Sequence, residues 1–144
     1  MKALNELKIT ILSNSSNESF SRVAVASFLA QLDPTIEEIN DIKTAVSEAV
    51  TNCIVHAYKN TIGKIYITVR IFEDRTVFIR IRDNGCGIED IEKAKEPLFT
   101  TAGDERAGLG FAVMESFMDK VRVSSKKDKY TSVTMKKRLG RRSE

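Results

Sequence analysis

The period of apolar and polar positions changes several times along this chain, and each change marks an element. Leu7, Ile9 and Ile11 alternate with polar residues, the period of two that predicts a strand with one buried face. After the polar stretch from Ser13 to Asn17, Phe20, Val23, Ala24, Phe28 and Leu32 recur at helical spacing, and Asp33-Pro34 ends that helix. Thr35 and Glu38 have the spacing of a capping box, with Thr35 as N-cap and Glu38 reaching back to it. Behind them Ile39, Ile42, Val46, Ala49, Val50 and Cys53 trace one apolar stripe along a long helix. Around Gly63 the period returns to two. Ile65, Ile67, Val69 and Ile71, the turn Glu73-Asp74-Arg75, then Val77, Ile79 and Ile81 predict a hairpin with one buried face. From Asp83 to Arg106 the chain reads mostly as loop, with a short helix near Ile88 to Lys95. Leu109 to Met118 is apolar enough for a buried helix, and Val121, Val123, Val133 and Met135 suggest two closing strands. Helices cluster early and strands pair as hairpins. The expected fold is therefore α+β, a two-layer sandwich of a mostly antiparallel sheet with helices on one face.

Composition narrows the class without naming a function. The 144 residues fit one domain, with 42% hydrophobic and 30% charged residues, ordinary for a globular protein. No repeat and no long Pro/Gly/Ser linker divides residues 1–144, although 136–144 reads as a frayed basic tail. The formal net charge of +3 does not by itself imply a nucleic-acid partner, and none is expected. No apolar run approaches a membrane span, and the N-terminus lacks a signal-peptide core, so a cytoplasmic protein is expected. Cys53, Cys86 and the single His56 make no zinc-ligand spacing, and both thiols are expected to be reduced packing residues.

The chemistry-bearing residues fall in three groups. Glu48 and Asn52 lie four apart and share one helix face, away from the apolar stripe. A carboxamide oxygen is a hard neutral ligand suited to Mg²⁺, and a carboxylate one turn earlier can accept a proton from an attacking hydroxyl. The same pair also fits a plain solvated helix face. Asp83-Asn84-Gly85-Cys86-Gly87 follows the second hairpin strand directly. Its Asp can accept a hydrogen bond from an exocyclic amine such as that of adenine, and Gly85 and Gly87 let a ring approach the backbone. Asp/Asn/Gly strings also make ordinary turns. Gly108-Leu109-Gly110 is expected to open a helix, where free backbone N–H groups attract phosphate. Thr100, Thr101, Gly103 and Arg106 precede it as a polar segment that could close over a triphosphate.

Taken together, in this order, the three groups resemble the GHKL superfamily, which includes gyrase-type ATPases, Hsp90, MutL and histidine-kinase catalytic domains. The resemblance implies a Bergerat-type ATP-binding fold, with ATP or ADP between helices and sheet. It implies Asn52 as the Mg²⁺ ligand, Glu48 as catalytic base, Asp83 as adenine reader, and Gly108 and Gly110 under the phosphates. Ser47-Glu48-Ala49-Val50-Thr51-Asn52 with His56-Ala57-Tyr58, Glu96-Pro97-Leu98-Phe99-Thr100-Thr101, Gly108-Leu109-Gly110-Phe111 and Met114-Glu115-Ser116-Phe117-Met118-Asp119 are similar to the sporulation anti-sigma branch of serine kinases. That likeness spans nearly the whole chain. It implies a homodimer that binds and inhibits a sigma F-like factor of RNA polymerase and phosphorylates a serine of an anti-anti-sigma protein. It also implies Leu109 and Thr131 at the nucleotide and Arg22 at the protein partners. Tyr130 stands where the family often has Gly before that Thr. Two other readings of the same site are a non-catalytic module gated by ATP and ADP, and a histidine-kinase-like catalytic domain. No helix pair carrying an acceptor His is legible here, so His56 is expected at the pocket edge. Met114, Phe117 and Met118 are expected in the core.

Overall fold

The computed structural model describes residues 2–88, 90–95 and 105–140, with side chains of the last segment described from Leu109 onward. Strand β1 (Asn5–Leu12) leads to helix α1 (Ser16–Leu29), a 3₁₀ turn (Ala30–Leu32) and the long helix α2 (Ile36–Asn52). A π-turn (Cys53–Ala57) extends α2. Strands β2 (Lys64–Ile71) and β3 (Thr76–Asp83) follow, then α3 (Ile91–Ala94), α4 (Glu105–Phe117), β4 (Lys120–Lys126) and β5 (Tyr130–Arg138). The sheet order is β1-β2-β3-β5-β4 and every neighbouring pair is antiparallel. The α+β sandwich is therefore the observed architecture.

Alternation along the strands decides which face carries the core. Ile65, Ile67, Val69 and Ile71 of β2 and Val77, Ile79 and Ile81 of β3 are all buried, while the residues between them point to the other side. The core face meets Ile42, Ala45, Val46, Ala49 and Val50 of α2, and α2 in turn packs between α1 and α4. Burying a Val or Ile side chain contributes about 1.5–3 kcal/mol, so this shared face supplies most of the driving force for the fold.

The capping box is formed in full: Glu38 N–H donates to Thr35 Oγ1 at 3.0 Å, and Thr35 N–H donates to Glu38 Oε1 at 2.8 Å. Asp33 adopts φ 48°, the left-handed conformation that turns the chain out of the first helix.

Four expectations need correction. Residues 136–138, expected in a frayed tail, belong to β5, and Leu139 after them is buried. In α1 the buried face is Ser21, Val25 and Leu29, whereas Phe20 and Val23 are 52% and 60% exposed. Ser21 can be buried because its hydroxyl donates to Glu18 O at 2.7 Å, and a polar residue so satisfied does not advertise itself in an apolar pattern. Phe117 is 37% exposed, unlike Met114 and Met118 beside it, because it lies at the open end of α4. Helix α4 begins at Glu105, so Gly108 and Gly110 lie inside it instead of opening it. Glu105, Arg106 and Ala107 are good helix formers and extend the helix upstream.

Candidate functional site

Helix α2 carries Glu48 and Asn52 along the flank that α4 crosses. Gly110 of α4 faces this pair. A Cβ placed there would lie 3.1 Å from Glu48 Oε2 and 3.3 Å from both Asn52 amide atoms. The missing side chain is what lets two helices enclose a carboxylate and a carboxamide. Glu48 and Asn52 are thus not on a solvated face, as the plain helix reading would have it. Both Asn52 amide atoms are buried without a hydrogen-bond partner among the described residues. An unpaired buried amide costs about 1–3 kcal/mol, so such a group marks a place where something else is expected to bind.

Directly after Asn52 the helix widens into the π-turn, closed by Tyr58 N–H donating to Cys53 O at 3.2 Å. Widened turns of this kind recur at functional sites because they re-aim the following side chains. Here the widening brings His56 and Ala57 to the rim of a cleft of about 840 Å³, between α2, the end of β3 and the β4–β5 hairpin. Ala49, Asn52, Ile81, Asp83, Ile88, Phe111, Thr131 and Val133 line it, with α3 along one side. Apolar residues such as Ala49, Ile81, Phe111 and Val133 share its walls with polar ones, among them Lys59, Asp90, Glu92 and Ser125.

Asp83 ends β3 on the core side and is only 2% exposed. Its Oδ1 accepts from Gly85 N–H at 2.9 Å, and its Oδ2 accepts from the Cys53 thiol at 3.5 Å. Burial pushes the Asp83 carboxyl above its ordinary range, against the lowering effect of those donors. Burial also pushes the Cys53 thiol well up, and the neighbouring Asp83 charge adds to this. Each carboxylate oxygen has a second lone pair, so Asp83 keeps capacity for a further donor such as an exocyclic amine.

The glycines after Asp83 answer first to the protein's own backbone. A Cβ on Gly85 would sit 2.3 Å from Ala57 O. Gly87 has φ +70°, and a Cβ there would sit 2.2 Å from Lys126 O. The loop is stapled on both sides, by Cys86 N–H to Ala57 O at 3.1 Å and by Asp128 N–H to Cys86 O at 2.6 Å. The Asp/Asn/Gly string therefore does more than turn the chain: it locks the cleft's floor to α2 on one side and to the β4–β5 hairpin on the other.

Thr131 is paired in register with Asp83 and lines the cleft. Its Oγ1 lies 2.9 Å from Ser125 Oγ, and Ser125 also accepts from Ile88 N–H at 2.7 Å. Ser125 is a cleft residue that sequence reasoning missed. The available signal was its place in the inward series Val121, Val123, Ser125, where a hydroxyl interrupts an apolar face. Phe111 and Ile88 were also missed, because an apolar wall has no distinctive residue type.

Other expected residues fall elsewhere. Leu109 is 51% exposed and does not line the cleft. Glu48 stands beside Asn52 and Gly110 without lining the cleft itself. Arg22 lies on α1, where its Nε pairs with Glu18 Oε1 at 2.9 Å, and Glu18 also accepts from Ser47 Oγ of α2. Thr100, Thr101 and Gly103 lie outside the described residues, as does the side chain of Arg106, and Gly108 is described only as part of α4. Among the described residues no helix is long and apolar enough to cross a membrane.

The histidine kinase-like ATPase domain family matches residues 16–137. An anti-sigma F factor of Caldanaerobacter subterraneus subsp. tengcongensis is 58% identical over 143 residues, covering 98% of this chain and 99% of that one. An anti-sigma F factor of Clostridium acetobutylicum is 55% identical over 136 residues, covering 94% of each chain. The crystal structure of the RsbU and RsbW domains of a Mycobacterium tuberculosis protein superposes with a TM-score of 0.72 at 22% identity, over 96% of this chain and 34% of that one. At that identity the likeness speaks for the fold alone. The chain belongs to the anti-sigma F factor family, built on the histidine kinase-like ATPase domain.

Proposed function

We propose that this protein is a cytoplasmic, ATP-dependent protein-serine kinase that also silences a sporulation sigma factor of RNA polymerase by binding it as a homodimer. The observation that carries the reading is the pair of orphaned Asn52 amide atoms, held beside Glu48 under Gly110, in a cleft that Asp83 also lines. An adenine with its amine on Asp83 and its ring among Ile81, Ile88 and Val133 would extend its phosphates toward Asn52. The Asn52 carboxamide oxygen suits Mg²⁺, a hard cation that accepts few protein ligands and keeps phosphate and water oxygens. When bound, that ion would neutralise phosphate charge. Glu48 accepts the proton from the seryl hydroxyl as its oxygen takes the γ-phosphoryl group and ADP leaves, a transfer that depends mainly on positioning and charge. The substrate is the serine of an anti-anti-sigma protein, and Arg22 on α1 is the contact offered to protein partners. The relatives' names support the sigma-factor partner, and the kinase roles rest on the placement of these residues.

The test is transfer of radiolabelled phosphate from ATP to a candidate anti-anti-sigma protein, run beside capture of the sigma factor. Glu48→Gln is expected to lose transfer at least about 100-fold, the scale of general-base catalysis, while keeping ATP affinity and sigma binding. Equal loss of affinity and transfer would reject the base assignment. An acid-labile product would point to a histidine acceptor. Nucleotide binding with no transfer to any serine would favour a gated binding module.

A further inference from the structure

The sheet has a second face, turned away from the helices, and its chemistry is unlike the rest of the molecule. The register lines up Lys8 of β1, Thr68 of β2, Arg80 of β3, Thr134 of β5 and Arg122 of β4 in one row across all the strands. Strands stand about 4.8 Å apart, so the cations of this row repeat at about 9.6 Å with a threonine hydroxyl between each pair. Parallel rows on either side add Arg82 and, beyond the other edge, Arg70 and Lys136. Glu6 is the one acidic residue among the outward strand positions, and Arg70 and Lys8 already pair with it. The acids of the helical layer, such as Glu37, Asp41 and Glu115, lie on the opposite side of the molecule. The modest net charge of +3 thus conceals a segregation of charge between two faces.

Aromatic rings interleave these cations. The Arg82 guanidinium lies 4.6 Å over the Tyr130 ring, and that of Arg70 lies 5.1 Å over Phe78. Stacking holds each guanidinium flat on the surface; the Arg70 edge is taken by Glu6, and the Arg82 N–H edge can fork onto an anion. Tyr66, Lys8, Thr68, Arg80 and Arg82 line a shallow groove of about 420 Å³ on the same face.

We propose that this face is a docking surface for single-stranded nucleic acid, with backbone phosphates on the Lys8–Arg80–Arg122 row and a base against Tyr66. Evenly spaced cations with interleaved aromatics are the chemistry of such surfaces. A protein partner would need an apolar centre, whereas Arg80 stands at the middle of this face and the Phe78 and Tyr130 rings lie under guanidinium groups. A second copy of the face would set cation against cation.

The probe is a fluorescein-labelled single-stranded RNA homopolymer of about 20 uridines, followed by anisotropy with the full chain. Three phosphate contacts predict a slope of about −2 for log affinity against log salt. Arg80→Ser/Arg122→Ser is expected to lower the slope to about −0.7 and the affinity roughly 60-fold at about 50 mM salt. Tyr66→Ala is expected to weaken single-strand binding at least about 5-fold and leave duplex binding unchanged. A charge-matched Lys43→Ser/Lys129→Ser variant should retain binding, and all variants should keep their melting temperature and ADP affinity. The proposal is overturned by any one of several results: no RNA binding at that salt, equal loss in the charge-matched variant, displacement of RNA by ADP, or equal competition by poly-glutamate. The ADP result would assign the RNA to the nucleotide cleft, and the poly-glutamate result would reassign the face to an acidic protein.

Discussion

Replacing Gly110 with alanine should leave stability nearly unchanged while activity falls, because the position serves a helix and a site at once. Inside a helix, alanine is favoured over glycine by about 1 kcal/mol. The added Cβ would stand 3.1 Å from Glu48 Oε2 and 3.3 Å from the Asn52 amide atoms. Comfortable contacts of this type begin near 3.5 Å, so one or both side chains must shift by up to about 0.4 Å. Glu48 can rotate away at a rotamer cost of about 0.5–1.5 kcal/mol, which roughly cancels the helical gain. For 144 residues the unfolding entropy at the midpoint is about 0.3 kcal/mol/K, so each 1 kcal/mol moves Tm by about 3 °C. The variant should therefore melt within about 3 °C of the parent. Phosphoryl transfer should suffer far more: a misplacement of 1 Å costs about 100-fold, and one of 0.4 Å about 6-fold. The assays are calorimetric melting, Mg-dependent binding of a fluorescent ADP analogue, and single-turnover transfer to the protein substrate. A variant that melts higher and transfers phosphate within two-fold of the parent would refute the enclosure of Glu48 and Asn52 by Gly110.

Three further outcomes test the rest of the site's support. Gly87→Ala should destabilise by about 2–4 kcal/mol, since it forces a side chain into the left-handed region and against Lys126 O; thermal melting should show a drop of about 7 °C or more. The buried Asp83 carboxyl holds its proton more tightly in the folded chain than in the unfolded one. Its contribution is therefore fully present below the ordinary carboxylate pKa and is lost as pH rises through the folded value. In that window parent stability should fall relative to Asp83→Asn by up to about 1.4 kcal/mol per pH unit, and a parallel pair of stability curves would disprove it. Thr35→Ala removes the acceptor for Glu38 N–H and should cost about 1 kcal/mol in denaturant unfolding.

Much of this molecule was legible before any coordinates. The β2–β3 hairpin, the capping box and the α2 stripe follow from local rules, because period and capping depend on residues only a few positions apart. The pairing of Glu48 with Asn52 was legible for the same reason. Asp83 was legible because a strand end followed by Asn-Gly is a short-range signal. What tertiary structure alone decided was which faces meet. The face of α1 that buries Ser21, Val25 and Leu29 is set by α2 and the sheet, and the more apolar-looking Phe20 and Val23 stay exposed. Gly110 becomes a point of helix crossing only when α4 comes to rest on α2. Ser125 becomes part of the cleft only when β4 joins the far side of β5, beside Thr131. The basic outer face likewise arises from register across all the strands, which no local window of the chain contains. Short-range periodicity specifies elements, but contacts between residues far apart in sequence depend on how those elements bury their apolar surfaces together. That packing creates the site.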